Sequence, residues 1–324
     1  MTIHILNQYL WPDCAPTAIY ADQLGTFLKR NGYRVRRVGG NGEYRLGNRP
    51  QPDLEEVVLP VWKGTRGRVL STIKEYHSIY GALDRYIRSE VCSHDVVIVT
   101  SAPPQSISLI DSIRDRGGIG IYWLQDYYPE LLRGFVEYPS LARRILSGYW
   151  NRTLESWNRV VKISGNLAYH GENATIIRNG TTLDLGPIQP FEPGLACYFG
   201  NLGYGHSLEI FVESCRELRE KGYKIIVLGD GPKASQLPPW IERKKILSER
   251  ELIAWHWKAE VHLVAADPNI TGAVFPSKYW NSRLTGRRIV PSGFAGSMLE
   301  EWRYVEGLTE MPSLQEWISL LKTM

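Results

Sequence analysis

Residues 196–207 read Ala-Cys-Tyr-Phe-Gly-Asn-Leu-Gly-Tyr-Gly-His-Ser. A short apolar strand runs into a loop carrying Gly200, Gly203 and Gly205, and Ser207 then opens an amphipathic helical pattern to Lys221. Glycines let a backbone approach a ligand closely, and a helix start offers unpaired N–H groups with partial positive charge. The loop therefore fits a phosphate as well as it fits an ordinary tight strand-to-helix turn. From Gly200 to Ser207 the spacing mimics the G-x-x-x-x-G-K-[ST] loop of nucleotide triphosphatases, but His206 stands where that loop needs its lysine. A nucleotide triphosphatase is rejected on that ground.

Working outward, an alternating series follows: strand Lys224–Leu228, helix Glu249–Trp257, strand Val261–Ala265, helix Lys278–Thr285 and strand Arg288–Pro291. Upstream, five of the nine residues from Gly186 to Gly194 are Gly or Pro, the composition of a linker. Before it lie strands Ile3–Leu6, Arg34–Val38, Asp95–Thr100, Ile119–Leu124, Arg159–Ser164 and Ala174–Arg178. They are continuously apolar and separated by helix-length segments, as parallel strands covered on both faces are. The expected fold class is α/β: two doubly wound domains facing each other across a cleft. The N-terminal domain spans 1–185, the second 195–308, and a closing helix within 309–324 packs back on the first.

The chain has 324 residues, 43% hydrophobic and 22% charged, enough for two cores without disulfides. Cys14, Cys92, Cys197 and Cys215 show no C-x-x-C spacing, and no basic-then-apolar leader opens the chain, so a cytoplasmic location is expected. No 18-residue apolar run exists. The net charge of +4 is small for a nucleic-acid binder, and none is expected as partner. It is unevenly spread. Residues 1–162 carry 21 basic against 16 acidic residues, and 163–324 carry 17 against 18. Two stretches suit an anionic bilayer. In 61–90, Lys63, Arg66, Arg68, Lys74, Arg85 and Arg88 interleave with Trp62, Leu70 and Ile73; in 131–162, Arg133, Arg143, Arg144 and Arg152 accompany Leu131, Leu132, Phe135 and Tyr149. Amphipathic core helices with solvated faces account for much of the same pattern.

Gly229-Asp230-Gly231-Pro232-Lys233-Ala234 fits the dinucleotide fingerprint G-x-G-x-x-A, with Glu249 twenty residues beyond Gly229. That fingerprint needs a long helix at once, and Pro232, Pro238 and Pro239 leave no room for one. A nicotinamide oxidoreductase is thus a minor alternative, and the turn can still rim a nucleotide base. Phe275-Pro276-Ser277-Lys278 precedes another helical stretch. Ser277 as N-cap would aim free N–H groups, with Lys278, into the space of the glycine loop. A solvated surface lysine is the commoner fate of any one lysine. There is no D-x-D, no H-x-x-x-H and no G-x-S-x-G, so neither a catalytic metal nor acyl-transfer hydrolysis is expected. In the first half, Gln125 and Asp126 follow a buried strand, where an acid can take a proton or hold sugar hydroxyls. By position alone, Asp126 fits better as a helix cap.

Together, "YLWPDCAPTAIYADQLGTFLKRNGYRV", "TSAPPQS", "IYWLQDYYPEL", "VVKISGNLA", "IIRNGTTLD", "YFGNLGYGH", "IIVLGDGP", "AEVHLVAA" and "GAVFPSKYWNSRLTGRRIV" resemble, in order and spacing, family-4 retaining glycosyltransferases of the GT-B fold, in their bacterial exopolysaccharide, colanic-acid-type branch. The resemblance implies a nucleotide-sugar donor held by the second domain, an acceptor held by the first, no metal and no cofactor, and retained anomeric configuration. Position by position it implies Gly200, Asn201, Gly203, Gly205 and His206 near the donor phosphates. Lys278 faces the diphosphate, with Ser277 at its helix start. Gly229, Asp230 and Gly231 lie by the base, with the Ile246-Leu247 backbone as base contact. Gln125 and Asp126 lie at the sugar and acceptor, and Thr17 near the donor sugar. Asp126 and Lys278 are the catalytic candidates. Many relatives carry two glutamates before the glycine matching Gly286, one on the ribose; here Ala273 and Asn281 occupy those places, and an amide still hydrogen-bonds hydroxyls. The expected activity moves glucose or glucuronic acid from a UDP-sugar to a lipid-linked oligosaccharide for an exopolysaccharide, by an enzyme peripheral on the inner face of the plasma membrane. The other alternative is a non-catalytic nucleotide-sugar-binding protein.

Overall fold

The computed structural model describes residues 1–40, 51–63, 69–134, 139–203, 205–245 and 248–324. The chain divides into two compact units: Met1–Pro129 with Pro139–Arg178 and Pro312–Met324, and Glu130–Tyr138 with Asn179–Met311.

Up to Ile176 the elements are β1 (Thr2–Tyr9), α1 (Pro16–Arg30), β2 (Arg34–Gly40), β3 (Glu55–Leu59), α2 (Val69–Glu90), β4 (Val96–Thr100), α3 (Ile110–Asp115), β5 (Ile119–Leu124), α4 (Tyr128–Leu131), α5 (Ser140–Glu155), β6 (Arg159–Lys162) and β7 (Ala174–Ile176). The strands form one parallel sheet in the order β3-β2-β1-β4-β5-β6-β7. Connections run outward in both directions from β1, so the order reverses between β1 and β4. In such sheets the carboxyl ends near that switch point are where ligands bind. β4 is buried along its whole length, which is why Val-Val-Ile-Val-Thr carries no polar alternation. Helix α1 starts on Pro16, whose fixed φ suits a first turn. It ends where Gly32, at φ +87°, returns its N–H to the Lys29 carbonyl. Strand β3 is not among the strands expected from the sequence. Its Glu-Glu-Val-Val-Leu is an edge strand, and charged residues at an edge hide the apolar signal.

The second unit contains β8 (Glu192–Phe199), α6 (Leu208–Glu220), β9 (Lys224–Leu228), β10 (Glu242–Lys244), α7 (Glu249–Lys258), β11 (Ala259–Ala265), α8 (Lys278–Leu284), β12 (Arg288–Ser292) and α9 (Gly296–Glu306). Its parallel order is β10-β9-β8-β11-β12. Along β8, Ala196 and Tyr198 enter one core cluster with Ile225 and Val227, while Leu195, Cys197 and Phe199 enter another with Ile226 and Leu228. The sheet is therefore covered on both faces. Glu192–Gly194, expected as linker, join β8 because Glu192 pairs with Ala259 across an irregular register. The last helix, α10 (Gln315–Leu321), belongs to the first unit. Its Trp317 meets Trp123 of β5 edge-on, with ring centroids 4.9 Å apart. No described helix is long and apolar enough to cross a membrane.

Candidate functional site

At the carboxyl ends of β8 and β9, two loops extend the sheet's hydrogen bonding beyond the strands. Gly200 N–H donates to the Leu228 carbonyl (2.7 Å), Leu202 N–H to the Asp230 carbonyl (2.8 Å), and Lys233 N–H to the Leu202 carbonyl (3.2 Å). The loops touch backbone to backbone. Gly229 and Gly231 have φ of +140° and +136°, and a Cβ there would come within 2.5 Å of the Gly200 oxygen and 2.6 Å of the Leu202 oxygen respectively. These two glycines are thus required by loop-to-loop contact. Gly203 differs: a Cβ would meet nothing within 4 Å, and at Gly205 it would make only an ordinary contact with Ile270. At these two positions the protein leaves room for a close-approaching ligand. Gly229-Asp230-Gly231 leads into a short 3-10 turn at Ala234–Gln236 and then β10, with no long helix. The dinucleotide-binding alternative falls with it.

Ser207 caps α6 as expected, its hydroxyl accepting from the Ile210 N–H. Ser277 does not cap α8. It is already helical, at φ −57° and ψ −27°, and its side chain makes no capping bond. The helix it precedes is nevertheless what brings Lys278 to the glycine loop. Lys278 Nζ donates to the Tyr198 hydroxyl and to the Asn201 carbonyl (3.1 Å), and lies 3.4 Å from His206 Nε2. A second lysine, Lys233, which the sequence reading did not place here, joins it: its Nζ donates to the His206 carbonyl at 2.5 Å. Burial first, then the charge of Lys278, with Lys233 adding to it, push the His206 pKa down to about 3, so its imidazole is neutral at ordinary pH. Asp230 turns its carboxylate onto the Gly231 N–H, and the Asn201 side-chain oxygen accepts from the Asp230 N–H. Asn281 is engaged by Thr182: its Oδ1 accepts from the Thr182 N–H (2.9 Å) and its Nδ2 donates to the Thr182 hydroxyl (2.9 Å). Those two bonds leave the amide one further N–H and one lone pair. Leu247, with Ile246, lies outside the described residues, as do Tyr204, Arg66, Arg68 and Phe135.

In the first unit, the Ser101 hydroxyl accepts from both the Gln125 N–H (3.2 Å) and the Asp126 N–H (3.0 Å). This pins the turn after β5 beside the end of β4. Gln125 is buried, and its amide nitrogen has no hydrogen-bond partner among the described residues. A buried donor in that state is unusual and suits a group waiting for a ligand. Asp126 has its pKa pushed up to about 6 by burial, with no backbone hydrogen bond among the causes. A capping carboxylate would be lowered instead, so the cap expected from position is not what forms. Thr17 lies in the first turn of α1, half-buried.

Ser101, Tyr198 and Lys233 were not legible as site residues. Tyr198 sits in an apolar strand run and reads as core. Lys233 carried a signal, being a basic residue at the end of a Gly-x-Gly turn. Among the described residues no group of three or more His, Cys, Asp or Glu is placed to hold a metal ion.

The fold is that of GT-B glycosyltransferases, two parallel sheets with alternating helices. No protein-family model matches the sequence, and no curated protein does. Among solved structures, sucrose-phosphate synthase from Thermosynechococcus elongatus is similar with a TM-score of 0.65 and 13% identity, over 90% of this chain and 80% of that one. WaaG, a glycosyltransferase involved in lipopolysaccharide biosynthesis, gives 0.59 and 12% over 92% and 84%. The catalytic domain of starch synthase IV from Arabidopsis thaliana, bound to ADP and acarbose, gives 0.59 and 12% over 90% and 82%. At such identities the likeness is one of fold.

Proposed function

We propose that the chain is a retaining, metal-independent glycosyltransferase that moves a hexose, glucose or glucuronic acid, from a UDP-sugar to a lipid-linked oligosaccharide in exopolysaccharide biosynthesis. The observation that carries this reading is the meeting of Lys278 with the glycine loop at Gly200 and Asn201, beside a second lysine, Lys233. A fixed cation with preorganised N–H groups is what a departing diphosphate needs when no metal neutralises it. The fold agrees, being shared with an α-glucosyltransferase solved with UDP and with the ADP-bound starch synthase domain.

In the reaction, the bond between the sugar's anomeric carbon and the diphosphate oxygen breaks. A bond from that carbon to an acceptor hydroxyl oxygen forms on the same face, and the hydroxyl proton passes to the departing phosphate. With a pKa of about 6, Asp126 is ionised at neutral pH yet basic enough to accept a proton. The unpartnered Gln125 amide suits a sugar hydroxyl. Peripheral contact with an anionic bilayer at the inner face of the plasma membrane is supported by α5. There Leu141, Ile145 and Tyr149 are 65%, 64% and 51% exposed at four-residue spacing, with Arg144 and Arg152 on the same face.

Calorimetric titration with UDP, GDP and ADP and their sugars tests the reading. UDP and UDP-sugars are expected to bind, and Lys278→Ala to weaken them by at least tenfold. Unchanged affinity and turnover in Lys278→Ala would sink the phosphate assignment. A non-catalytic nucleotide-sugar-binding protein would bind UDP yet transfer to no acceptor. For the membrane, vesicles with anionic lipid should bind the protein at low salt and neutral ones should not.

A further inference from the structure

Tyr198 and His206 both touch the ammonium of Lys278. The Lys278 ammonium carries three donors and no acceptor. Around it stand the Tyr198 hydroxyl, the Asn201 carbonyl oxygen at 3.1 Å and His206 Nε2 at 3.4 Å. The Gly203 N–H donates to His206 Nδ1 (3.1 Å), so the histidine proton belongs on Nε2, which lies 3.0 Å from the Tyr198 hydroxyl and donates to it. Tyr198 keeps its own proton for the Asn201 oxygen, 3.1 Å away. The tyrosine ring is fully buried and wedged edge-on against Phe211, with centroids 5.1 Å apart, and against His206, 6.0 Å apart. The lysine ammonium also lies 4.3 Å from the centroid of that ring. A flexible four-carbon side chain is thus held by a rigid aromatic one and by a loop residue.

We propose that Tyr198 and His206 are positioning residues, a socket that holds the Lys278 ammonium at the glycine loop in advance of a diphosphate. The proposal rests on the phosphate reading of this loop and adds to it how the cation is aimed. The Tyr198 hydroxyl and the Asn201 carbonyl are both neutral, so neither of them cancels the charge of the ammonium it holds. The charged groups facing His206 are Lys278 and Lys233, and both oppose its protonation, which keeps the ring neutral, with Nδ1 accepting from Gly203 and Nε2 held against the Tyr198 hydroxyl. Preorganisation of this kind spares the ligand the entropy of ordering a flexible lysine side chain.

The test is a double-mutant cycle read by calorimetry with UDP and, in parallel, uridine, on wild type, Tyr198→Phe, Lys278→Ala and the double variant. Tyr198→Phe keeps the ring and removes only the hydroxyl. It is expected to weaken UDP roughly tenfold, the size of one lost hydrogen bond to a charged group, and to leave uridine unchanged. In the Lys278→Ala background it should have no further effect. His206→Ala, which releases the Tyr198 hydroxyl, should behave likewise, with His206→Gln, whose amide restores a donor and an acceptor, recovering part of the loss. Should Tyr198→Phe fail to fold, the His206 variants carry the same cycle. Equal losses in both backgrounds, or equal weakening of UDP and uridine, would overturn the socket while leaving the phosphate reading standing. A silent Lys278→Ala would overturn both.

Discussion

The loops at the carboxyl ends of two doubly wound sheets, after β5 in the first unit and after β8 and β9 in the second, have opposite chemistry. After β5 the chain half-buries an acid, Asp126, and that burial raises its pKa to about 6. After β8 and β9 it packs two glycine loops backbone to backbone and brings two lysines to them. The difference teaches that the parallel αβ plan selects where a site lies, while local backbone packing and charge decide what it can do.

Substitutions can break that contrast, the largest effect coming from the glycines. In the second unit, Gly231→Ala should cost about 4 kcal/mol or more, because its Cβ would strike the Leu202 backbone at a φ only glycine tolerates. Denaturant unfolding measures this, and a loss under 1 kcal/mol would mean the loops do not meet as described.

The second effect is acid weakening of the same unit. Burial lowers the pKa of His206 to about 3 and of His262 to about 4, and that of His256 well below its usual value. A depressed histidine adds stability that is full above its unfolded value near 6.5 and is lost as pH falls toward the folded value. About 2 kcal/mol per histidine should therefore go between pH 7 and pH 5. In the first unit, burial lowers His4 as well, but its bond to Asp95 opposes the shift. Hydrogen exchange at pH 5 should show β8 and β11 losing protection before β4 and β5, and simultaneous loss would erase the distinction.

Asp126 works with the opposite sign. Its carboxyl is raised from 3.8 to about 6, so its contribution is full below pH 4 and lost as pH rises through 6. Asp126→Asn should then raise stability at pH 7 by about 2 kcal/mol, with the gain vanishing near pH 4. A thermal melt at each pH decides, and a destabilised variant at pH 7 would point to a bound partner for the carboxylate. Smallest of all, Gly203→Ala should change stability by less than about 0.5 kcal/mol, since its Cβ meets open space. Any ligand that uses that space should nonetheless lose affinity.

The strands most easily read from sequence were those whose burial is continuous, such as Val96–Thr100 and Lys224–Leu228. Edge strand β3 escaped because its first residues are charged, and the short β10, Glu-Arg-Lys, shows no apolar pattern at all. Ser207 was legible as a cap because its hydroxyl acts within its own helix turn. Ser277, with the same local sequence logic, was not, because the turn before α8 is already helical.

By itself the sequence determined the alternation of buried strands and amphipathic helices, and with it the α/β class, the glycine loop and the lysine after Ser277. These depend on interactions over a few residues, which composition and period encode directly. Only the tertiary structure decided that Gly229 and Gly231 serve a neighbouring loop, that Lys233 joins Lys278, that Asn281 is bonded to Thr182, and that Asp126 is raised and not capped. Each of these depends on what packs against a group from tens of residues away, and desolvation and contact of that kind have no periodicity for a sequence to display.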